Sequence, residues 1–188
     1  MNFLETEIVG VWTHSPLRHS DSRGTFEEQF KISKINKELN RGFDVKQVNQ
    51  SFSDKGVIRG IHWTDSPQGQ AKYVSVTKGS IWDVFVDLRK GSKTFGRWGA
   101  EYLSLDNGRS ILLSEGIGHA LLALEQGTVV NYLCTSEYDP SSDRTIDPFD
   151  ESLAIPFERV AGEHGITKLL LSPKDEQGSS FASMKAQI

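Results

Sequence analysis

The sequence predicts an all-β chain: a cupin-like jelly-roll double sheet carrying a few short helices. Three observations predict it. Short apolar or alternating runs recur along the chain, separated by Gly, Asp, Asn, Ser and Pro. They are spaced by about 8–12 residues with turn signals between them, the pattern of a sandwich or barrel. Only one segment shows a clear helical period.

Taken in order, the first predicted strand is Phe26–Phe30, entered from the turn Asp21-Ser22-Arg23-Gly24. The clearest helix is Ile32–Leu39, where Ile32, Ile35 and Leu39 stand at helical spacing. Strands are predicted next at Val45–Ser53 and Gly56–Trp63. Within the second, Gly60 permits a bulge or a close backbone approach. Ala71–Lys78 and Ser80–Leu88 are joined by Lys78-Gly79-Ser80, short enough for a hairpin. Trp98–Leu105, Ser110–Leu113, His119–Leu124 and Thr128–Ser136 follow, with a further short run at Ile155–Phe157. Residues 173–188 are mostly polar and are expected to form a poorly ordered tail. No repeat, low-complexity segment or linker divides the chain, so residues 1–188 read as a single domain.

The bulk properties narrow the function. A chain of 188 residues holds one well-buried domain and is short for two. Its 37% hydrophobic and 24% charged residues are those of an ordinary globular protein. A net charge of −4 provides no overall attraction to nucleic acid or to an anionic membrane, so neither is an expected partner. Any phosphate site must be a local cluster of cations. The single cysteine, Cys134, excludes an internal disulfide framework and fits a reducing compartment. No signal peptide and no apolar run near the roughly 18 residues of a membrane span are present, so the expected location is the cytoplasm.

The most informative stretch is Val57–Val76, VIRGIHWTDSPQGQAKYVSV. It sets His62 between two strand-like runs, with Arg59 before it and Lys72 after it. Lys72, Val74 and Val76 alternate and so share a face, which places a lysine against the sheet interior. Burying a lysine is costly unless it meets an anion or does chemistry, and this sets a functional reading of His62 level with the structural one that a lone strand histidine would otherwise carry. His119, in a Gly-rich entry to an apolar strand, suits a phosphate or a substrate carbonyl. A metal-binding cupin would need an HxH pair, and the chain has none, so no metal is expected. Tyr132 reads either as a core aromatic or as a proton donor. Cys134 has no neighbour that would activate it as a nucleophile. Arg23 and Asp175 would not be chosen from pattern alone.

In chain order, DSRGTFEE, QVNQSFSDKGVIRGIHW, QAKYVSVTKGSIWDVFVDLRKGSKTFGRW, LSEGIGHALLAL, NYLCTSEYDP and LSPKD resemble the dTDP-4-dehydrorhamnose 3,5-epimerase family from about residue 4 to residue 175. The resemblance implies a cupin-type jelly roll, a homodimer, and no metal or organic cofactor. It implies inversion of C3 and C5 of dTDP-4-keto-6-deoxy-D-glucose, through an enolate, to dTDP-4-keto-L-rhamnose. By motif position, His62 matches the base and Asp175 its orienting acid. Lys72 matches the lysine near the C4 oxygen, and Tyr132 the proton donor on the opposite face. Arg23, Arg59 and His119 match residues that hold the diphosphate. Phe26, Glu28, Gln47, Asn49 and Tyr138 match positions near the nucleoside or sugar, and Asp143 corresponds to an acid after the YxP motif. Part of the N-terminal set serves a neighbouring subunit in that family. Ala120 and Leu121 depart from the family's GxAHGF pattern, and Ile155-Pro156-Phe157 replaces its Trp-Pro, which bears on sugar specificity. Two alternatives stand beside this reading: an enzyme inverting C3 alone, and a non-catalytic cupin that binds sugar nucleotides.

Overall fold

Thirteen strands and four helices make up the described residues of the computed structural model, which are 2–40, 42–66 and 69–187. The strands are β1 (Asn2–Glu5), β2 (Val11–Ser15), β3 (Arg18–Asp21), β4 (Gly24–Glu27), β5 (Gln47–Ser53), β6 (Ile58–Thr64) and β7 (Lys72–Lys78). After them come β8 (Ser80–Asp87), β9 (Trp98–Ser104), β10 (Ser110–Leu113), β11 (Ile117–Ala123), β12 (Thr128–Cys134) and β13 (Asp143–Thr145). The helices are α1 (Ile32–Leu39), α2 (Phe157–Glu163), α3 (Pro173–Glu176) and α4 (Phe181–Gln187). A six-stranded sheet in the order β1-β2-β10-β7-β12-β5 faces a five-stranded sheet in the order β13-β6-β11-β8-β9. The hairpin β3–β4 stands apart as a sheet of its own. All pairings within the sheets are antiparallel, as the jelly-roll expectation requires. Among the described residues no helix is long and apolar enough to cross a membrane.

Burial explains why some strands are written so plainly in the sequence. Every residue of β11 is buried, as is β8 after its first residue, because the five-stranded sheet is covered on both faces. One face of β8 packs Ile81 and Phe85 between the sheets, against Val74, Val76, Ile111 and Val130. Its other face packs Trp82, Val84 and Val86 under α2, with Phe157, Val160 and Ala161. The outer face of the six-stranded sheet is covered by α1, through Ile35 on Tyr73, Phe43 and Leu112. α1 spans the predicted residues and ends at Asn40, whose φ of 52° is the left-handed conformation that stops a helix.

Three expectations are corrected by the fold. The Lys78-Gly79-Ser80 connection is not a hairpin, because β7 and β8 lie in different sheets. It is a corner, with Gly79 at φ 73°, where a Cβ would come within 2.5 Å of the Thr128 hydroxyl. Ile155–Phe157 is not a strand. Pro156 lacks the N–H that a sheet ladder needs and instead precedes α2, which starts at Phe157. Residues 173–187 form α3 and α4, bury Asp175 and Met184, and bridge Ile146 to Ser179, whereas residue 188 lies outside the described residues.

Candidate active site

The alternation of β7 sends Lys72, Val74 and Val76 into the space between the sheets, as predicted. The same alternation on β12 sends Val130, Tyr132 and Cys134 there from the neighbouring strand, with Cys134 directly opposite Lys72. From the facing sheet, β6 brings His62 and β11 brings His119, cross-strand partners of one another. Gly60 makes that approach close. Its φ is 114°, and a Cβ on it would sit 2.4 Å from the His119 carbonyl oxygen. The ladder shifts register just beyond, between His119 and Leu121. The result is a cavity of about 320 Å³ at one end of the sandwich, bounded by both sheets.

His62 is half-buried, and its Nε2 lies 2.5 Å from the Oδ1 of Asp175. Asp175 arrives from the far end of the chain on α3. Ser172, the N-cap of that helix, accepts a bond from the Asp175 backbone N–H and donates one of 2.9 Å to the carboxylate Oδ2. Burial alone would raise the Asp175 pKa, but hydrogen bonds from His62 and Ser172 and the charge of Lys174 hold it below the ordinary carboxylate value. The neutral ring therefore donates Nε2–H to a carboxylate and keeps Nδ1, which has no partner among the described residues, as a free lone pair.

Lys72 has neither a hydrogen bond nor an ion pair among the described residues. Desolvation pulls its pKa below the usual lysine value, against the raising influence of Cys134, Asp143 and Asp83. An unpaired, desolvated ammonium facing a cavity is a strong electrostatic partner for an anion that enters it. Tyr132, in the wall across from His62, bonds to Ser51 Oγ on β5 at 3.0 Å. Burial pushes its phenol up to about 12. The ring stands edge-on to His119, with centroids 6.1 Å apart and planes at 70°. His119 is itself fixed by Asp83, whose Oδ2 is 2.8 Å from the ring Nε2. Asp83 is fully buried and its second oxygen, Oδ1, has no partner among the described residues.

The residues expected to contact the nucleotide divide into two groups. Arg59, Asn49, His119, Tyr138 and Asp143 line the cavity with His62, Lys72 and Tyr132. Arg59 is braced by bonds from Nε to Ser53 Oγ and from Nη2 to the Phe52 carbonyl. Gln47 does not line the cavity but ties its mouth together, donating to Asn49 and accepting from the Tyr138 backbone N–H. Asp143 is ion-paired with Lys174 at the rim. Arg23, Phe26 and Glu28 lie outside the cavity. Arg23 pairs with Asp21 on the hairpin, Glu28 pairs with Lys31, and Phe26 is 72% exposed.

Sequence reasoning passed over Asp83, Ser51 and Lys174. A signal existed for Asp83, since an acid inside SIWDVFVD is costly to bury unless paired. Ser51 and Lys174 carry no such signal. Among the described residues no group of three His, Cys, Asp or Glu is placed to hold a metal ion.

The family profile described as dTDP-4-dehydrorhamnose 3,5-epimerase matches residues 5–183. A dTDP-4-dehydrorhamnose 3,5-epimerase of Mycolicibacterium smegmatis is 40% identical over 99% of this chain and 89% of its own length. The structure of the rmlC epimerase of Mycobacterium tuberculosis superposes with a TM-score of 0.94 at 39% identity, covering 100% of this chain and 92% of that one. A 3'-monoepimerase of Streptomyces bikiniensis, solved in complex with dTDP-quinovose, superposes with a TM-score of 0.88 at 35% identity, covering 97% and 89%.

Proposed function

The chain belongs to the dTDP-4-dehydrorhamnose 3,5-epimerase family, and from that premise we propose how its cavity performs the reaction. The substrate is dTDP-4-keto-6-deoxy-D-glucose, the product is dTDP-4-keto-L-rhamnose, and each of C3 and C5 is inverted once. The observation that carries the assignment is the meeting, in one cavity, of the His62–Asp175 pair, unpaired Lys72 and Tyr132.

The ketone at C4 acidifies the hydrogens on the carbons either side of it. His62 removes one through Nδ1, and Asp175 fixes the ring tautomer and stabilises the imidazolium that forms. The negative charge collects on the C4 oxygen as an enolate. Lys72 stabilises that oxygen more in the transition state than in the ground state, so its charge lowers the barrier rather than merely tightening binding. Tyr132 returns a proton from the opposite face and the centre inverts. Arg59 suits the diphosphate because its guanidinium fork matches phosphate oxygens. His119 adds a contact from the same wall, and Tyr138, Asn49 and Gln47 form the nucleoside end, where an aromatic ring can stack on thymine.

Arg23, Phe26 and Glu28 act in the cavity of a second copy within a homodimer. Two features support that reading: the β3–β4 hairpin, which among the described residues pairs with no other strand, and Val48 and Phe52, 62% and 67% exposed on the outer face of β5. The reaction takes place in the cytoplasm, a location supported by one buried, free cysteine, Cys134. The test is isotopic. Incubation with the keto-sugar in deuterated water should label both C3 and C5. Label at C3 alone identifies a monoepimerase, and binding without label a non-catalytic carrier.

A further inference from the structure

Two inversions in one residence require the proton donor to act twice, and among the described residues Tyr132 is the one phenol that lines the cavity from the sheet facing His62. Each use breaks the Tyr132 O–H bond, forms a C–H bond on the sugar and leaves a phenolate. A phenolate is poorly tolerated in that wall, where burial pushes the phenol up to about 12. It must be reprotonated before the second carbon can react. With the sugar ring filling the cavity, the source has to be a group that already touches the phenol.

Among the described residues the Tyr132 hydroxyl has one hydrogen-bond partner, Ser51 Oγ at 3.0 Å, and either oxygen can be the donor. The two residues are diagonal across the β12–β5 ladder, since Tyr132 lies opposite Asn49 and Ser51 opposite Val130. Ser51 is half-buried, and its neighbours Asn49 and Gln50 are exposed at the mouth of the same cavity. The serine thus stands between an enclosed phenol and water. On the other side the ring is held edge-on by His119, itself fixed by Asp83, so the phenol oxygen stays directed at Ser51.

Resting on the epimerase reading above, we propose that Ser51 is the relay that recharges Tyr132 between the two inversions. Ser51 Oγ–H passes its proton to the phenolate while the same oxygen accepts one from a water at the cavity mouth. His62 returns to solvent the proton it removed from carbon. Between the two inversions one proton enters by way of Ser51 and one leaves by way of His62, so no oxidant or co-reactant is involved; before the first, Tyr132 is protonated from water in the open cavity. Ser51 acts through Tyr132 and is a positioning residue, not a group that touches the reacting carbons.

The experiment compares wild type, Ser51→Ala and Ser51→Thr with the keto-sugar in deuterated water, following label at each carbon by NMR. In Ser51→Ala the rate of first-carbon exchange should stay within about twofold of wild type. The ratio of doubly to singly inverted product should fall by about a hundredfold or more, the lower end of a lost proton-transfer contribution. Ser51→Thr, which keeps the hydroxyl, should restore the ratio, and so should raising the concentration of a small buffer acid with Ser51→Ala. A purely structural role predicts no dependence on buffer. An unchanged ratio in Ser51→Ala overturns the relay, as does an equal loss of both steps that neither threonine nor buffer repairs. If wild type itself labels C3 alone, the two-inversion reading fails and the relay with it. If wild type labels both and Ser51→Ala matches it, the relay alone fails.

Discussion

Replacing Asp175 with asparagine keeps the shape of the base's partner and removes its charge. The carboxylate is 3% exposed and its Oδ1 lies 2.5 Å from His62 Nε2, so little solvent screens the pair. Two losses combine. A hydrogen bond involving a charged group is worth about 1.5–3 kcal/mol, and this one strengthens as the ring becomes imidazolium. In addition, an amide can turn its NH2 toward Nε2 and so move the ring proton to Nδ1, the nitrogen whose lone pair must be free. Together these amount to about 3–5 kcal/mol on the barrier, or about 10²–10⁴ in kcat. Substrate contacts are untouched, so KM should change little. The assay is steady-state turnover alongside deuterium exchange at C3 and C5, with thermal unfolding as a check that α3 still docks. A folded Asp175→Asn variant that turns over within about tenfold of wild type would refute the dyad as the source of the base.

Two further outcomes follow from the structure. His14, fully buried on β2, bonds through Nδ1 to Tyr73 and Ser110 and leaves Nε2 without a partner among the described residues, and burial lowers its pKa from 6.5 to about 4. The unfolded chain therefore binds the proton more readily, so this contribution to stability is complete above about pH 6.5, erodes as pH falls towards 4, and reaches a loss of about 3 kcal/mol. Urea midpoints between pH 7 and about 5 should show about 2 kcal/mol of that loss in wild type, and a His14→Gln variant should lack this part of the slope. Arg59→Ala should raise KM with kcat nearly unchanged, because a diphosphate contact is equally strong in ground and transition states; a fall in kcat alone would move Arg59 into the chemistry.

The legible parts of the fold are those where burial leaves one kind of residue. β8 and β11, covered on both faces, read as apolar runs, and α1 stands out because its apolar face repeats at helical spacing. The short strands β1, β2, β3 and β13 were not predicted. Polar or exposed residues fill much of them, and they owe their conformation to pairing with a neighbour. The Lys78-Gly79-Ser80 corner looked like a hairpin because a tight turn has the same local chemistry whether its strands pair or part. The site divides in a similar way. The inward face of Lys72 was readable from alternation, whereas the pairing of His62 with Asp175 spans 113 residues and leaves no local trace. Ser51 and Lys174 gain their roles solely from what the fold brings beside them.

Closing the base with a residue from α3 has a consequence for how the enzyme comes into being. Asp175 meets His62 from a short helix that Ser172 caps and that the Ser179 bridge to Ile146 follows. A nascent polypeptide that has already assembled both sheets, with its cleft formed and its ammonium in place, still has a histidine with nothing to orient it. On the mechanism proposed above, turnover therefore depends on the docking of α3 beside β6. A substitution that prevents that docking would leave a well-folded sandwich able to hold nucleotide but almost unable to turn it over.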